Sequence, residues 1–141
     1  MKHALISSLL LVTASILPFS SMAATPSAAD AEVYFVEPQD GQTVPETFKV
    51  VFGLKGMDVS PAGNNQPNSG HHHLLIDVDS LADFALPLPA NDNVRHFGGG
   101  QTETMLTLPK GKHTLQLLLG DYLHIPHDKP VMSEKITITV K

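Results

Sequence analysis

Apolar residues in this chain recur at every second position in short runs closed by glycine or proline, a pattern that confines it to strands. Phe48, Val50, Phe52 and Leu54 share one face of the run 48–54. Over 70–78, His72, Leu74, Ile76 and Val78 take one face and His71, His73, Leu75 and Asp77 the other. His113, Leu115, Leu117 and Leu119 align in 112–119, and Ile136, Ile138 and Val140 in 134–140. Runs over 32–36 and 102–108 have the same character, and a further strand is expected between Leu81 and Leu86. The nearest approach to a helical stripe, 80–86, stops at Pro87 and Pro89. The expected fold is all-β: an immunoglobulin-like antiparallel β-sandwich of about seven strands with Greek-key connections.

The first residues are set apart from that pattern. Met1-Lys2-His3 is a short basic start, 4–18 is mainly apolar, and Ser21-Met22-Ala23 has the small, any, small form of a signal-peptidase site. Residues 1–23 are therefore expected to be a signal peptide, 24–30 a flexible N-terminal segment and 31–141 the sandwich domain. No other stretch approaches the roughly 18 apolar residues of a membrane span. A periplasmic or secreted protein without membrane insertion follows as the expectation. The remaining residues, about 118, suffice for one domain of modest core.

Fourteen acidic residues against nine basic ones give a formal net charge of −5. Nucleic acid and anionic lipid are disfavoured as partners, because they are held by clustered lysine and arginine; a cation suits such a surface better. Cysteine is absent, which removes both disulfides and thiolate ligands. A metal site here has to be built from histidine, carboxylate or methionine.

Histidine supplies the material. Six imidazoles fall in three clusters, His71-His72-His73, His96, and His124 with His127, and imidazole is the commonest protein ligand for transition metals. In an immunoglobulin-like sandwich the loop entering the 70–78 strand and the loop leaving the 112–119 strand lie at one end. The approach to the 102–108 strand, which carries His96, belongs to that end too. His113, after the corner Pro109-Lys110-Gly111, falls at the other end, where it is expected to bond back to the corner. His71 and His73 stand two residues apart, about 6 to 7 Å along one strand face, a chelating distance for long rings. His72 shares its face with Leu74 and Ile76 and reads as a core histidine behind the ligands. Asp121 and Asp77 are the carboxylates nearest in sequence to orient the rings. Met57, Met105 and Met132 offer thioether sulfur, with Met105 better suited to packing.

The runs VVFGLKGM (50–57), SGHHHLLID (69–77), HFGGGQTET (96–104) and KGKHTLQLLLGDYLHIPH (110–127) together resemble an exported bacterial family catalogued as domain-of-unknown-function family 4399. The resemblance covers nearly all of the chain after the leader. It implies a small protein exported across a bacterial inner membrane, with Gly70 to His73, His96 to Gln101, His113, Asp121, His124 and His127 at the motif positions. The layout of the last third, a Pro/Gly corner, a strand and an acidic-histidine loop, is also similar to that of periplasmic copper-binding proteins of the CopC-like group, a likeness of arrangement only.

The expected function is an exported periplasmic metal-binding protein, copper preferred and zinc the alternative. His71, His73, His96, His124 and His127 are the expected ligands, with Asp121 and His72 around them. Binding is expected to weaken below about pH 6, where free imidazole takes a proton. The runner-up is a structural or partner-binding module of the envelope whose histidines pin loops. An enzyme is not expected: there is no Gly-x-Ser-x-Gly elbow and no cysteine nucleophile. Metal-assisted hydrolysis or oxidation is the one catalytic version the residues leave open. Asp77 and Asp79 lack the other ligands of a calcium loop. Gly98-Gly99-Gly100 lacks the strand and helix frame of a phosphate loop, and is expected to let backbone pass close to the His96 region.

Overall fold

The computed structural model describes residues 23–81 and 83–141; apart from Ala23, the signal-peptide reading falls outside them. Among the described residues the elements are all strands: β1 (Glu32–Glu37), β2 (Thr43–Val44), β3 (Thr47–Lys55), β4 (Asp58–Val59), β5 (Ser69–Ile76), β6 (Val94–His96), β7 (Glu103–Thr107), β8 (Gly111–Gly120) and β9 (Ile136–Val140). One sheet has the order β1-β3-β7, and the other runs β2-β9-β8-β5-β4 with β6 also paired to β5. The chain changes sheet between β1 and β2, between β2 and β3, between β3 and β4, between β6 and β7, and again between β7 and β8. This is the strand partition of an immunoglobulin-like sandwich.

Two-residue alternation builds the interior as expected. Phe48, Val50 and Phe52 of β3, Leu115, Leu117 and Leu119 of β8, and Ile136, Ile138 and Val140 of β9 meet Leu74 and Ile76 of β5 in the main core. β5 departs from simple alternation, being buried at every position. Its other face meets a second, smaller apolar cluster of Leu75, Leu88, Val94 and Leu118. The segment after β5 lies over that face, with Val78 and Leu81 packed against the cluster, so what would be a solvated sheet surface is closed.

Several expectations are corrected here. No residue described between Leu81 and Leu86 is in a strand; that stretch covers the sheet as a loop punctuated by Pro87 and Pro89. The additional strands are instead β2, β4 and β6, two or three residues long and too short to show a period. β2 pairs with β9 and β4 with β5 in parallel, so the larger sheet is mixed. Within the segment 24–30, the Thr25 hydroxyl donates to Asp121 at 2.7 Å, the Ser27 amide to Asp128 at 3.0 Å, and the Ser27 hydroxyl to the Lys129 carbonyl at 2.8 Å.

Candidate metal centre

β5 is the spine of the site. Its register sets His71 opposite Gly120 and His73 opposite Leu118 on β8, while on its other edge His73 faces His96 of β6. Directly opposed residues of an antiparallel pair project to the same side, so the His71 and His73 rings stand on the face of the second apolar cluster. Both side chains are 0% exposed. Room for them comes from Gly120, where a Cβ would collide with the His73 ring. Gly98 has a related role, a Cβ there standing 3.9 Å from Cε1 of His124 and 3.3 Å from Ala62.

The third ring arrives on the loop between β8 and β9. Asp121 organises that loop: Oδ1 accepts the amides of Leu123 at 2.8 Å and Ile125 at 3.0 Å, and its carbonyl accepts the His124 amide at 2.9 Å. The His124 carbonyl in turn accepts the Leu88 amide at 2.8 Å. Held from both sides, His124 sits at φ 65°, a left-handed conformation uncommon outside glycine and a form of strain often found at functional positions. The neighbouring loops are laced to the same pole through Ala62 to Gly98 and Gly63 to Tyr122, 2.8 and 2.9 Å amide-to-carbonyl bonds.

These elements bring three ring nitrogens together. His71 Nε2 lies 2.9 Å from His124 Nδ1, and His73 Nε2 lies 3.3 Å from the same atom. One ligand nitrogen from each of His71, His73 and His124 falls within 4.8 Å of the other two, a group that could hold a metal ion. Nitrogens bound about 2.0–2.1 Å from a metal stand about 3.3 Å apart across a tetrahedral edge, close to the spacing found. Burial disfavours the charged rings. Desolvation first, then the neighbouring His124 and His96, pushes the His71 pKa down to about 4, and the same causes with His71 push His73 down to about 2. His124, nearer solvent, is also lowered, chiefly by desolvation and then by His96, against a smaller opposing pull from Asp121.

The remaining histidines divide. His96 joins the group at its rim, its ring centroid 4.4 Å from that of His73 and 4.6 Å from that of His124. Its Nε2–H donates to the Pro89 carbonyl at 2.8 Å, which leaves Nδ1 as the lone-pair nitrogen, the arrangement in which ligating histidines are commonly oriented. What delivers it is β6, paired directly to β5, and not the approach to β7. His127 does not join: its Nε2–H donates to the Ser69 carbonyl at 3.1 Å. Its Cε1 lies 3.0 Å from where a Cβ on Gly70 would stand, alongside Leu119 on the main-core side of the sheet. His72 also faces the main core, its ring 5.1 Å from Phe52, with neither ring nitrogen bonded to a protein group. It is in the core, as its face predicts, but on the wrong side of β5 to support the ligands.

The carboxylates divide as well. Asp121 bonds to no imidazole; it positions His124 through the loop backbone, and the signal for this was the Asx-turn habit of aspartate ahead of a tight loop. Asp77 is at the opposite pole, where its Oδ2 accepts from His113 Nδ1 at 2.7 Å. The other nitrogen of His113 donates to the Pro109 carbonyl at 2.8 Å, the expected bond back to the corner. Two acceptors on one ring require the imidazolium. Burial pulls its pKa down, but the Asp77 bond, the Pro109 bond and the Asp77 charge together raise it.

Fold and site thus define a small β-sandwich carrying a buried three-histidine group at one pole. The chain matches the family described as Domain of unknown function (DUF4399) over residues 50–141, and it belongs to that family. No curated protein matches it. Similar solved structures include the endo-beta-1,4-mannanase from Thermotoga petrophila, 18% identical with a TM-score of 0.47 over 79% of this chain and 20% of that one. The fibronectin(III)-like modules of Clostridium thermocellum CbhA are 12% identical with a TM-score of 0.40 over 78% of this chain and 45% of that one. The chain accordingly spans less than half the length of either.

Proposed function

We propose that the protein is an exported, periplasmic metal-binding protein, non-enzymatic, whose ion is held by His71, His73 and His124 with His96 at the rim as an additional ligand. The observation that carries this reading is the convergence of three imidazole nitrogens within 4.8 Å of one another, two of them on buried rings and the third on the half-buried His124. Copper is preferred, with zinc the alternative, because imidazole suits both ions, whereas magnesium, calcium and manganese call for oxygen ligands that the group lacks. Export through the leader would place the protein in an envelope compartment, where metal is met outside the cytoplasm.

Calorimetric titration of the purified chain with copper and with zinc tests this. One ion is expected to bind, and the double variant His71→Ala/His124→Ala is expected to weaken binding by about a hundredfold or more, beyond the effect of losing an orienting partner alone. His127→Ala is expected to bind as the parent does. Unchanged stoichiometry and affinity in the double variant would overturn the site.

The reading as a structural or partner-binding envelope module has one observation in its favour. His96, His113 and His127 each bond to a backbone carbonyl, which is how a histidine pins a loop. On that reading the double variant loses stability and no bound ion.

A further inference from the structure

The three ligands form a site without charge of its own. All are imidazoles, neutral when they ligate, and among the described residues no carboxylate oxygen joins the metal-sized group. The nearest buried carboxylate, Asp121, is occupied by the Thr25 hydroxyl and the amides of Leu123 and Ile125. The floor is apolar: Leu118 stands opposite His73 on the same face, and Leu75, Leu88 and Val94 pack with it.

Charge placed in such surroundings loses hydration that the ring nitrogens and the pull of the Asp121 carboxylate on His71 and His124 restore only in part. The cost of desolvating an ion rises with the square of its charge, so a monovalent ion of similar size meets about a quarter of the penalty of a divalent one. A divalent ion bound by three neutral nitrogens would need an anion or hydroxide from solvent, whose approach is beside the partly exposed His124 and His96, since His71 and His73 are fully buried.

We infer that the site selects copper in its monovalent state: three neutral imidazoles on an apolar floor, without a carboxylate, fit Cu(I) better than Cu(II) or Zn(II). This rests on the metal-binding reading above and adds to it the charge of the ion. His96, its Nδ1 free and its ring against those of His73 and His124, is the place where a carboxylate would weaken the preference.

The test is an anaerobic titration of the full exported chain with Cu(I) against a chromophoric Cu(I) chelator, beside competition titrations with Cu(II) and Zn(II). Cu(I) is expected to bind about a hundredfold more tightly than Cu(II), which lifts the potential of the bound couple about 120 mV above that of the unbound one at 59 mV per tenfold. The variant His96→Glu, its folding checked by circular dichroism, is expected to lose about tenfold or more of that preference. Cu(II) or Zn(II) binding as tightly as Cu(I), through the same three histidines, would overturn the inference and leave the metal site standing. A preference unmoved in a folded His96→Glu protein would also overturn it. Binding of none of the three ions would remove the metal reading itself.

Discussion

His71 Nε2 stands 2.9 Å from Nδ1 of His124, 53 residues further along the chain. Two imidazole nitrogens at that distance repel unless a proton or a cation lies between their lone pairs. His73 Nε2, 3.3 Å from the same Nδ1, sharpens the demand, since one nitrogen now faces two others. A network of neutral tautomers meets it with ring N–H donors, and a metal ion meets it with a single positive centre. The strained φ of His124 and the two backbone bonds that hold it there are what bring the third nitrogen into range.

Gly120 is the position where the site is most exposed to a small change. A methyl group there would collide with the His73 ring, and β8 cannot retreat because Gly120 is paired to His71 in the sheet. Gly120→Ala is expected to lower stability by about 1–3 kcal/mol through overpacking and to weaken copper binding by about tenfold or more, as ring displacement of an ångström would. Thermal denaturation and competition titration measure the two effects. An alanine variant with the parent's affinity would show that His73 does not ligate.

His72 offers the opposite test. Its ring lies among core side chains beside Phe52, with both nitrogens lacking a protein hydrogen-bond partner. Replacing an unsatisfied buried polar group by an apolar one of similar size removes its desolvation penalty, about 1–3 kcal/mol. His72→Leu is expected to be neutral to stabilising in urea denaturation at neutral pH, more clearly stabilising in acid, and to bind copper as the parent does. A loss of binding would place His72 in the site after all.

The sequence made the sandwich legible because alternation survives wherever one face is buried, as in Phe48, Val50 and Phe52, or Ile136, Ile138 and Val140. It also separated His71 and His73 from His72, since a period of two assigns faces without any coordinates. Which loop residue would reach them was not legible. His124 and His127 are equivalent in the string GDYLHIPH, yet their rings lie on opposite sides of the sheet, His124 beside His71 and His127 beside Gly70. Asp77 likewise adjoins the histidine run in sequence yet lies a strand's length from His71. The face of β5 that carries His71 and His73 is covered by later residues, Val78, Leu81 and Leu88 among them, a tertiary event that leaves no periodic trace.

At the far pole the His113 imidazolium is clasped between Asp77 and Pro109. A folded pKa raised above the unfolded value means stability fully present below about 6.5, the unperturbed value, and lost as pH rises through the folded pKa. The partners are partly exposed, which limits the pair to about 1 kcal/mol or less. Asp77→Asn is therefore expected to lower the melting temperature measurably at about pH 5.5 and hardly at all at about pH 9, with copper affinity unchanged. An equal loss at both values would mean that Asp77 acts through its bond to the Thr114 amide and not through the charged pair.

Acid acts on the metal pole with the opposite sign. His71 and His72 are held down to about 4 and His73 to about 2, in each case first by desolvation, while the unfolded chain titrates near 6.5. Between those values the unfolded state binds protons that the folded state refuses. Stability of the metal-free protein is therefore full above about pH 6.5 and falls on acidification, by about 1.4 kcal/mol per pH unit for each such imidazole. His71 and His73 stay neutral and able to ligate well below the pH 6 expected from free imidazole, and burial holds His124 down in the same direction. Urea denaturation of the metal-free chain at about pH 7.5 and about pH 5 should show this loss, and calorimetry on the still-folded protein at the same two values should find copper affinity changed by less than about tenfold. A collapse of affinity at about pH 5 in a protein that remains folded would mean that the ion is held by rings that titrate like free imidazole, and that the buried His71 and His73 are not its ligands.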